Sequence, residues 1–325
     1  MKTNYLILFL LACTIVANAQ KADKALLRVS YNFIHVQDTN HRDQPYTENM
    51  ILVIGKNASV YTSYDKITQA AIRRKMIEEA VKAQSESPNQ TLKLDGRGIK
   101  KTNPVDYFSF INERKSFTKE RLINNYLVEE PTPQLNWKIS KDTASFSGIK
   151  CQKATATFKG RNWIAWFAAE LPFQSGPWKL SGLPGLIIEA YDDKKDVQFL
   201  FAGIQKVDPS VEIEKTNENK EPRVGQTGTV ISVVSVSGAG SSSENPNEYM
   251  GAEISLPADA IKTTRKELEK LKEASKKDPM GFMNAQMAGR VSGIQVTGYS
   301  MKATATGSST QPKTEINNPI ELAEQ

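Results

Sequence analysis

Gly176-Pro177-Trp178-Lys179-Leu180-Ser181-Gly182-Leu183-Pro184-Gly185-Leu186-Ile187 packs three glycines and two prolines between apolar residues. Within it, Leu183-Pro184-Gly185-Leu186 reads as a type II turn. Proline presets φ at the second position, and glycine takes a positive φ at the third without a Cβ clash. The following run, Leu186-Ile187-Ile188-Glu189-Ala190-Tyr191, leaves that turn as a strand. Beyond Lys179 and Ser181 the stretch holds no nucleophile, acid, base or metal ligand, so it specifies a shape before it specifies a chemistry.

Strand patterns spread outward from this corner. Residues 163–171 are apolar on both alternating faces, which calls for cover on both sides. Residues 197–204 form the next strand, through a hairpin across 192–196. All four tryptophans lie between Trp137 and Trp178, which puts the densest core there. Upstream, Ala154, Ala156 and Phe158 alternate with polar residues. Residues 25–36 read as the first strand, and 50–54 with 59–63 as a hairpin around Gly55-Lys56-Asn57-Ala58. Residues 66–84 change period: Ile72, Met76, Ala80 and Ala83 recur at helical spacing, before a breaker at 85–89. Residues 107–112 and 116–127 return to strand composition.

Past residue 207 the character shifts. A charged connector (212–223) precedes a β-prone run (227–236) and a low-complexity segment (237–247). Residues 257–277 read as a helix with Ile261, Leu268 and Leu271 on one face, continued by 280–287. Residues 299–318 are polar. The expected fold is mainly β, a β-rich α+β protein. It has a strongly curved antiparallel sheet or partly open barrel, one inserted helix, and a C-terminal helix with flexible segments. The expected division is a leader (1–19), a β-rich core domain (20–206) and a C-terminal extension (207–325).

Lys2, the apolar run 5–16 and Ala17-Asn18-Ala19 have the three parts of a secretory signal with cleavage before Gln20. A competing reading takes Leu10-Leu11-Ala12-Cys13 as a lipobox with Cys13 acylated, but the apolar run continues past it. Export to the periplasm or outer membrane is therefore expected, and no later run is long enough for a membrane-spanning helix. Cleavage leaves Cys151 as the single cysteine, so no internal disulfide is expected. The net charge of +6 with 24% charged residues describes a solvated surface. No Lys/Arg cluster with interleaved aromatics marks a nucleic-acid partner. A mean hydropathy of −0.45 fits polar segments on an exported chain.

Gly182-Leu183-Pro184-Gly185-Leu186-Ile187 is identical to the motif that names the GLPGLI family, also described as the Porph_ging domain. Tyr31 with Asp38, Cys151 with Lys153-Ala154, Gly160-Arg161 with Trp166, Gly176-Pro177, and the ending Asn318-Pro319-Ile320-Glu321-Leu322 also resemble it. The resemblance implies an exported β-rich protein of Bacteroidota, often encoded near outer-membrane transport genes. It implies no activity, and no catalytic residue is carried over.

Candidate chemistry is sparse. Cys151 is the candidate reactive group; Lys153, on its face, could lower the thiol pKa, and His35 or His41 could act as base only through the fold. The inert alternative is a small strand residue, buried if a bulge shifts the register near Gln152. His35, Asp38, His41 and Asp43 are of types that suit a divalent ion, at a spacing that matches no ligand pattern. Met280, Met283 and Met287 form a helix-spaced stripe that suits Cu(I) or packing. Trp163, Trp166, Phe173 and Trp178 either line a ligand pocket or fill the core. Asp142-Thr143-Ala144 resembles an O-glycosylation motif. No metal or cofactor is expected. The expected function is a non-enzymatic binding or accessory module for an outer-membrane protein or a hydrophobic ligand. The alternatives are a carrier with a tryptophan-lined cavity and an enzyme using Cys151.

Overall fold

The computed structural model describes residues 22–86, 100–207, 249–251, 253–288 and 316–323. The leader with Cys13, the 212–223 connector, the 227–236 run, the 237–247 segment and most of 299–318 lie outside them.

Eleven strands precede residue 207: β1 (Asp23–His35), β2 (Tyr46–Gly55), β3 (Ala58–Ser63), β4 (Val105–Phe110), β5 (Lys115–Arg121), β6 (Asn125–Pro131), β7 (Lys138–Phe146), β8 (Ile149–Phe158), β9 (Arg161–Ala168), β10 (Leu186–Asp192) and β11 (Val197–Lys206). Helix α1 (Tyr64–Glu86) is inserted after β3. The C-terminal part adds β12 (Glu253–Ile254), β13 (Ile261–Thr263), α2 (Arg265–Lys277) and α3 (Pro279–Ala288). The sheet runs β13-β6-β5-β4-β3-β2-β1-β11-β10-β9-β8-β7, with β12 on β1. It does not close, and every pairing except β13 with β6 is antiparallel.

Local hairpins set this order. Ser147-Gly148 and Lys159-Gly160 each take positive φ at both residues, the two-residue turn whose twist suits flanking strands. Curvature is visible in ring contacts. Tyr61 on β3 and Phe199 on β11 are three strands apart, a span of about 14 Å in a flat sheet, yet their ring centroids lie 6.0 Å apart. The sheet bends around that inner face. Tyr31, Leu52, Trp163 and Phe199 fill it, joined by Trp178, Leu180 and Leu183 from the loop between β9 and β10. The outer face carries Ile51, Val53, Val60 and Phe108, covered by Ile67 of α1 and by Tyr249 and Ile254.

Three details depart from the sequence reading. Residues 116–127 are two strands, because Leu122 to Asn124 reverse the chain, with Leu122 N–H donating to Asn124 O at 3.2 Å. The helix read at 257–277 starts at Arg265: Ile261–Thr263 first pair with β6, and Thr264 then caps the helix in a capping box with Glu267. Gly185 is absent from the positive-φ residues, whereas Gly182 has φ +90°. Gly185 is required for space. Leu186 N–H reaches Leu171 O at 2.9 Å rather than closing a turn on Leu183. A Cβ on Gly185 would meet the Ala168 carbonyl, with its carbon at 2.7 Å.

Candidate functional site

The strands of the β3–β4–β5 ribbon carry hydroxyl residues at period two, among them Ser59 and Tyr61, Tyr107 and Ser109, and Ser116 and Thr118. The register places Ser59 opposite Ser109 and Tyr61 opposite Tyr107. Ser109 then faces Ser116, and Tyr107 faces Thr118. The result is two rows of hydroxyls on the inner face, because alternate residues of a strand share a face and directly paired residues stay together. Ser116 pairs with Glu130 on β6, which ends one row in a carboxylate.

The loop before β10 closes over these rows. Pro177 O accepts from Leu180 N–H at 3.1 Å, a tight turn that brings Trp178 down. Trp178 has φ +55°, a conformation costing a non-glycine residue about 1–2 kcal/mol. Packing offsets that cost: the indole lies 5.5 Å from the Trp163 ring and 5.8 Å from Phe158. Between loop and rows is a cleft of about 40 Å³ lined by Tyr61, Tyr107, Ser116, Glu130, Trp178 and Lys179, among others. A space of that size holds water or a small polar group.

Three polar atoms of the cleft residues are fully buried with no partner within the protein: Tyr61 Oη, Ser116 Oγ and Trp178 Nε1. Buried polar groups are ordinarily satisfied, so three around one cleft is informative. Tyr61 is 3% exposed and Trp178 6%. Burial raises the Tyr61 pKa well above the usual phenol value, so the hydroxyl keeps its proton. The Trp178 N–H lies close enough to the Tyr107 hydroxyl to act on its pKa without reaching hydrogen-bond geometry.

Ion pairs hold the rim. Lys179 Nζ lies 3.2 Å from Glu130 and 2.8 Å from Glu321 of the C-terminal segment. Glu130 also accepts from Arg265 and, at 3.0 Å, from Thr118. Burial alone would raise the Glu130 pKa; Lys179 and Arg265 outweigh it and hold the carboxyl below its ordinary value. Glu130 therefore stays charged and neutralised by its neighbours.

The residues singled out from sequence separate. Trp163 and Trp178 are buried against one another, Trp166 lies on the opposite face against Phe146, and Phe173 is half-buried at the edge of the core. Of these four, Trp178 lines the cleft beneath the signature loop. Cys151 is buried, and burial, helped by Glu189, pushes its thiol up to about 11. Lys153 instead pairs with Asp142 at 3.4 Å. The thiolate that nucleophilic chemistry needs is thus disfavoured at neutral pH.

His35 is buried and binds Asn318 O at 2.8 Å, while His41 pairs with Asp38 at 2.7 Å on the surface. These residues do not converge, and no cluster of three or more His, Cys, Asp or Glu that could hold a metal occurs among the described residues. Met280 is exposed and Met283 half-buried; the Met287 side chain lies outside the description. No described helix is long and apolar enough to cross a membrane.

Sequence reasoning missed Tyr61, Tyr107, Ser116, Thr118 and Glu130. The signal was the repeated hydroxyl-x-hydroxyl pattern on three adjacent strands. It also missed the role of the chain ending. Arg161 Nη1 binds Asp192 at 2.6 Å, Nη2 binds Asn318 Oδ1 at 2.7 Å and Pro319 O at 2.6 Å, and Nε binds Ile320 O at 2.9 Å. One guanidinium thus ties the end of the chain to β10.

No curated protein matches the chain. Among solved structures, PNGF-II in its P21 form aligns with a TM-score of 0.39 at 10% identity, covering 57% of this chain and 29% of that one. The C2 form gives 0.38 at 9%, with 57% and 28% covered. The chain spans less than a third of those structures. The family model described as "Protein of unknown function (Porph_ging)" matches residues 157–189, the segment from the end of β8 through the signature into β10, in line with the GLPGLI resemblance.

Proposed function

We propose that the protein is an exported, non-enzymatic binding module of the cell envelope that recognises a polar group of a partner in the cleft between the hydroxyl rows and the signature loop. The observation that carries this reading is the set of three buried, unpartnered polar atoms of cleft residues, Tyr61 Oη, Ser116 Oγ and Trp178 Nε1. Leaving such groups unmatched costs about 1–3 kcal/mol each, a cost that an incoming ligand recovers. The high thiol pKa of Cys151 weighs against the alternative of an enzyme that uses this cysteine. The signal-like leader supports placement in the periplasm or at the outer membrane, and an outer-membrane transport protein is the kind of partner the family resemblance suggests.

A photo-crosslinking residue placed at Ser181, on the cleft lip, tests the reading in the native envelope. The expected result is a specific crosslinked envelope protein that is not captured from Lys138 on the β7 edge. Identical capture profiles from both positions would remove the cleft as the recognition surface. Cys151→Ala is expected to leave capture unchanged.

A further inference from the structure

We infer that the cleft takes a carboxylate, either of a small organic acid or of a peptide C terminus. This rests on the binding reading above and names its ligand chemistry. The unmatched groups can all donate. The indole N–H of Trp178 has no acceptor capacity. The Tyr61 hydroxyl keeps its proton at neutral pH because burial disfavours the phenolate. The Ser116 hydroxyl rotates to suit its partner. A ligand that offers only acceptors satisfies all three; one that brings its own N–H groups adds donors to a donor set.

Size points the same way, and the charged residues of the lining, Lys179 and Glu130, balance each other. The enclosed volume of about 40 Å³ suits a small polar group such as a carboxylate. Lys179 lines the cleft, with its ammonium between Glu130 and Glu321. Glu130 also lines it and would repel an anion, but Arg265 and Lys179 both pair with that carboxylate. Hydrogen bonds from buried donors to a charged acceptor are the strong kind, and the surrounding aromatic rings lower the local dielectric that strengthens them.

The test follows the indole N–H signals of the full mature chain by NMR, with the Trp178 signal identified by its loss in Trp178→Phe. The probes are sodium acetate, acetamide, the peptide Ala-Ala-Ala and its C-terminal amide, with sodium chloride at matched ionic strength as control. Acetate is expected to shift the Trp178 signal saturably, while acetamide and chloride leave it in place. If the source is a peptide, Ala-Ala-Ala binds more tightly than acetate and its amide does not bind; equal or weaker binding than acetate assigns the site to a small acid.

Tyr61→Phe removes one donor and keeps the ring. It should weaken acetate binding about tenfold while the other three indole signals stay unchanged. An acetamide shift equal to that of acetate would overturn the carboxylate assignment and leave the cleft a binding site. No shift with any probe, in a chain whose other signals report a folded protein, would overturn the inference outright; the crosslinking experiment judges the broader reading separately.

Discussion

Arg161 Nη2 donates to Asn318 Oδ1 at 2.7 Å across 157 residues of sequence. Both side chains are buried, and the same guanidinium pairs with Asp192 at 2.6 Å. The Asn318 amide in turn donates to Val36 O at 2.7 Å, tying β1, β9, β10 and the chain ending into one network. Arg161→Leu would strand the Asp192 carboxylate in the interior. A loss of about 3–5 kcal/mol in urea unfolding is expected. Asn318→Ala keeps the ion pair and should cost less, about 1–3 kcal/mol, while speeding amide exchange at Leu322, whose N–H donates to Lys159 O. Equal costs for the two variants would show that the ion pair is not the dominant member.

Two glycines of the signature should behave differently. Gly182 has φ +90° with nothing near its Cβ position, whereas Gly185 lacks a positive φ and faces the backbone of Ala168 and Ala169. Asparagine tolerates the left-handed region, so Gly182→Asn should stay within about 1 kcal/mol of wild type. Gly185→Ala forces overlap with backbone and should cost about 1–3 kcal/mol or more. Thermal and urea melts of the pair decide it; the reverse order would restore a turn role for Gly185.

Cys151 should react as a buried thiol. Its pKa of about 11 exceeds the ordinary value of 9.0. Alkylation by iodoacetamide in the folded chain should therefore rise with pH through about 11. A rate that titrates at or below 9.0 would mean an accessible, activated thiolate. The linked effect on stability has a definite sign. The folded state holds the thiol proton more tightly, so this group's contribution is intact below about 9 and declines as pH rises towards about 11. Cys151→Ala should flatten that decline.

His35 supplies a dependence at the acid end. Burial lowers its pKa below 6.5, and the Arg161 charge adds to that; Asn318 O, Asp192 and Asp196 act in the opposite sense. The unfolded chain then binds the proton first as pH falls. Stability present above about 6.5 is lost below it. The urea midpoint of wild type should fall more between pH 7 and pH 5 than that of His35→Gln. Parallel behaviour would assign the acid loss to carboxylates instead.

Most of the ladder was legible in the sequence because it is local. The Lys56-Asn57 hairpin, the alternation of Trp163, Ala165 and Phe167, the helix after β3 and the hairpin at 192–196 depend on neighbours a few residues away, through turn geometry and period-two burial. Boundaries failed where a distant partner intervened. Ile261–Thr263 carries a helix-like apolar residue, but the free edge of β6 recruits it as a strand before Thr264 can cap α2. Ile72 of α1 illustrates the same limit: its helical spacing is real, yet it is 60% exposed.

By itself the sequence determined that this chain makes a β-rich, hairpin-built sheet, since turn dihedrals and alternation are local; the type II turn it suggested at Leu183-Pro184-Gly185-Leu186 is replaced in the structure by a bond from Leu186 N–H to Leu171 O. Only the tertiary structure decided why Gly185 has no side chain, that the tryptophans split between two faces, and that Arg161 receives the chain ending. It also decided that hydroxyls from three strands meet Trp178 and Lys179 around one small cleft. Those outcomes depend on sheet curvature and on which backbones pass within van der Waals distance, and neither is encoded in any short window of residues.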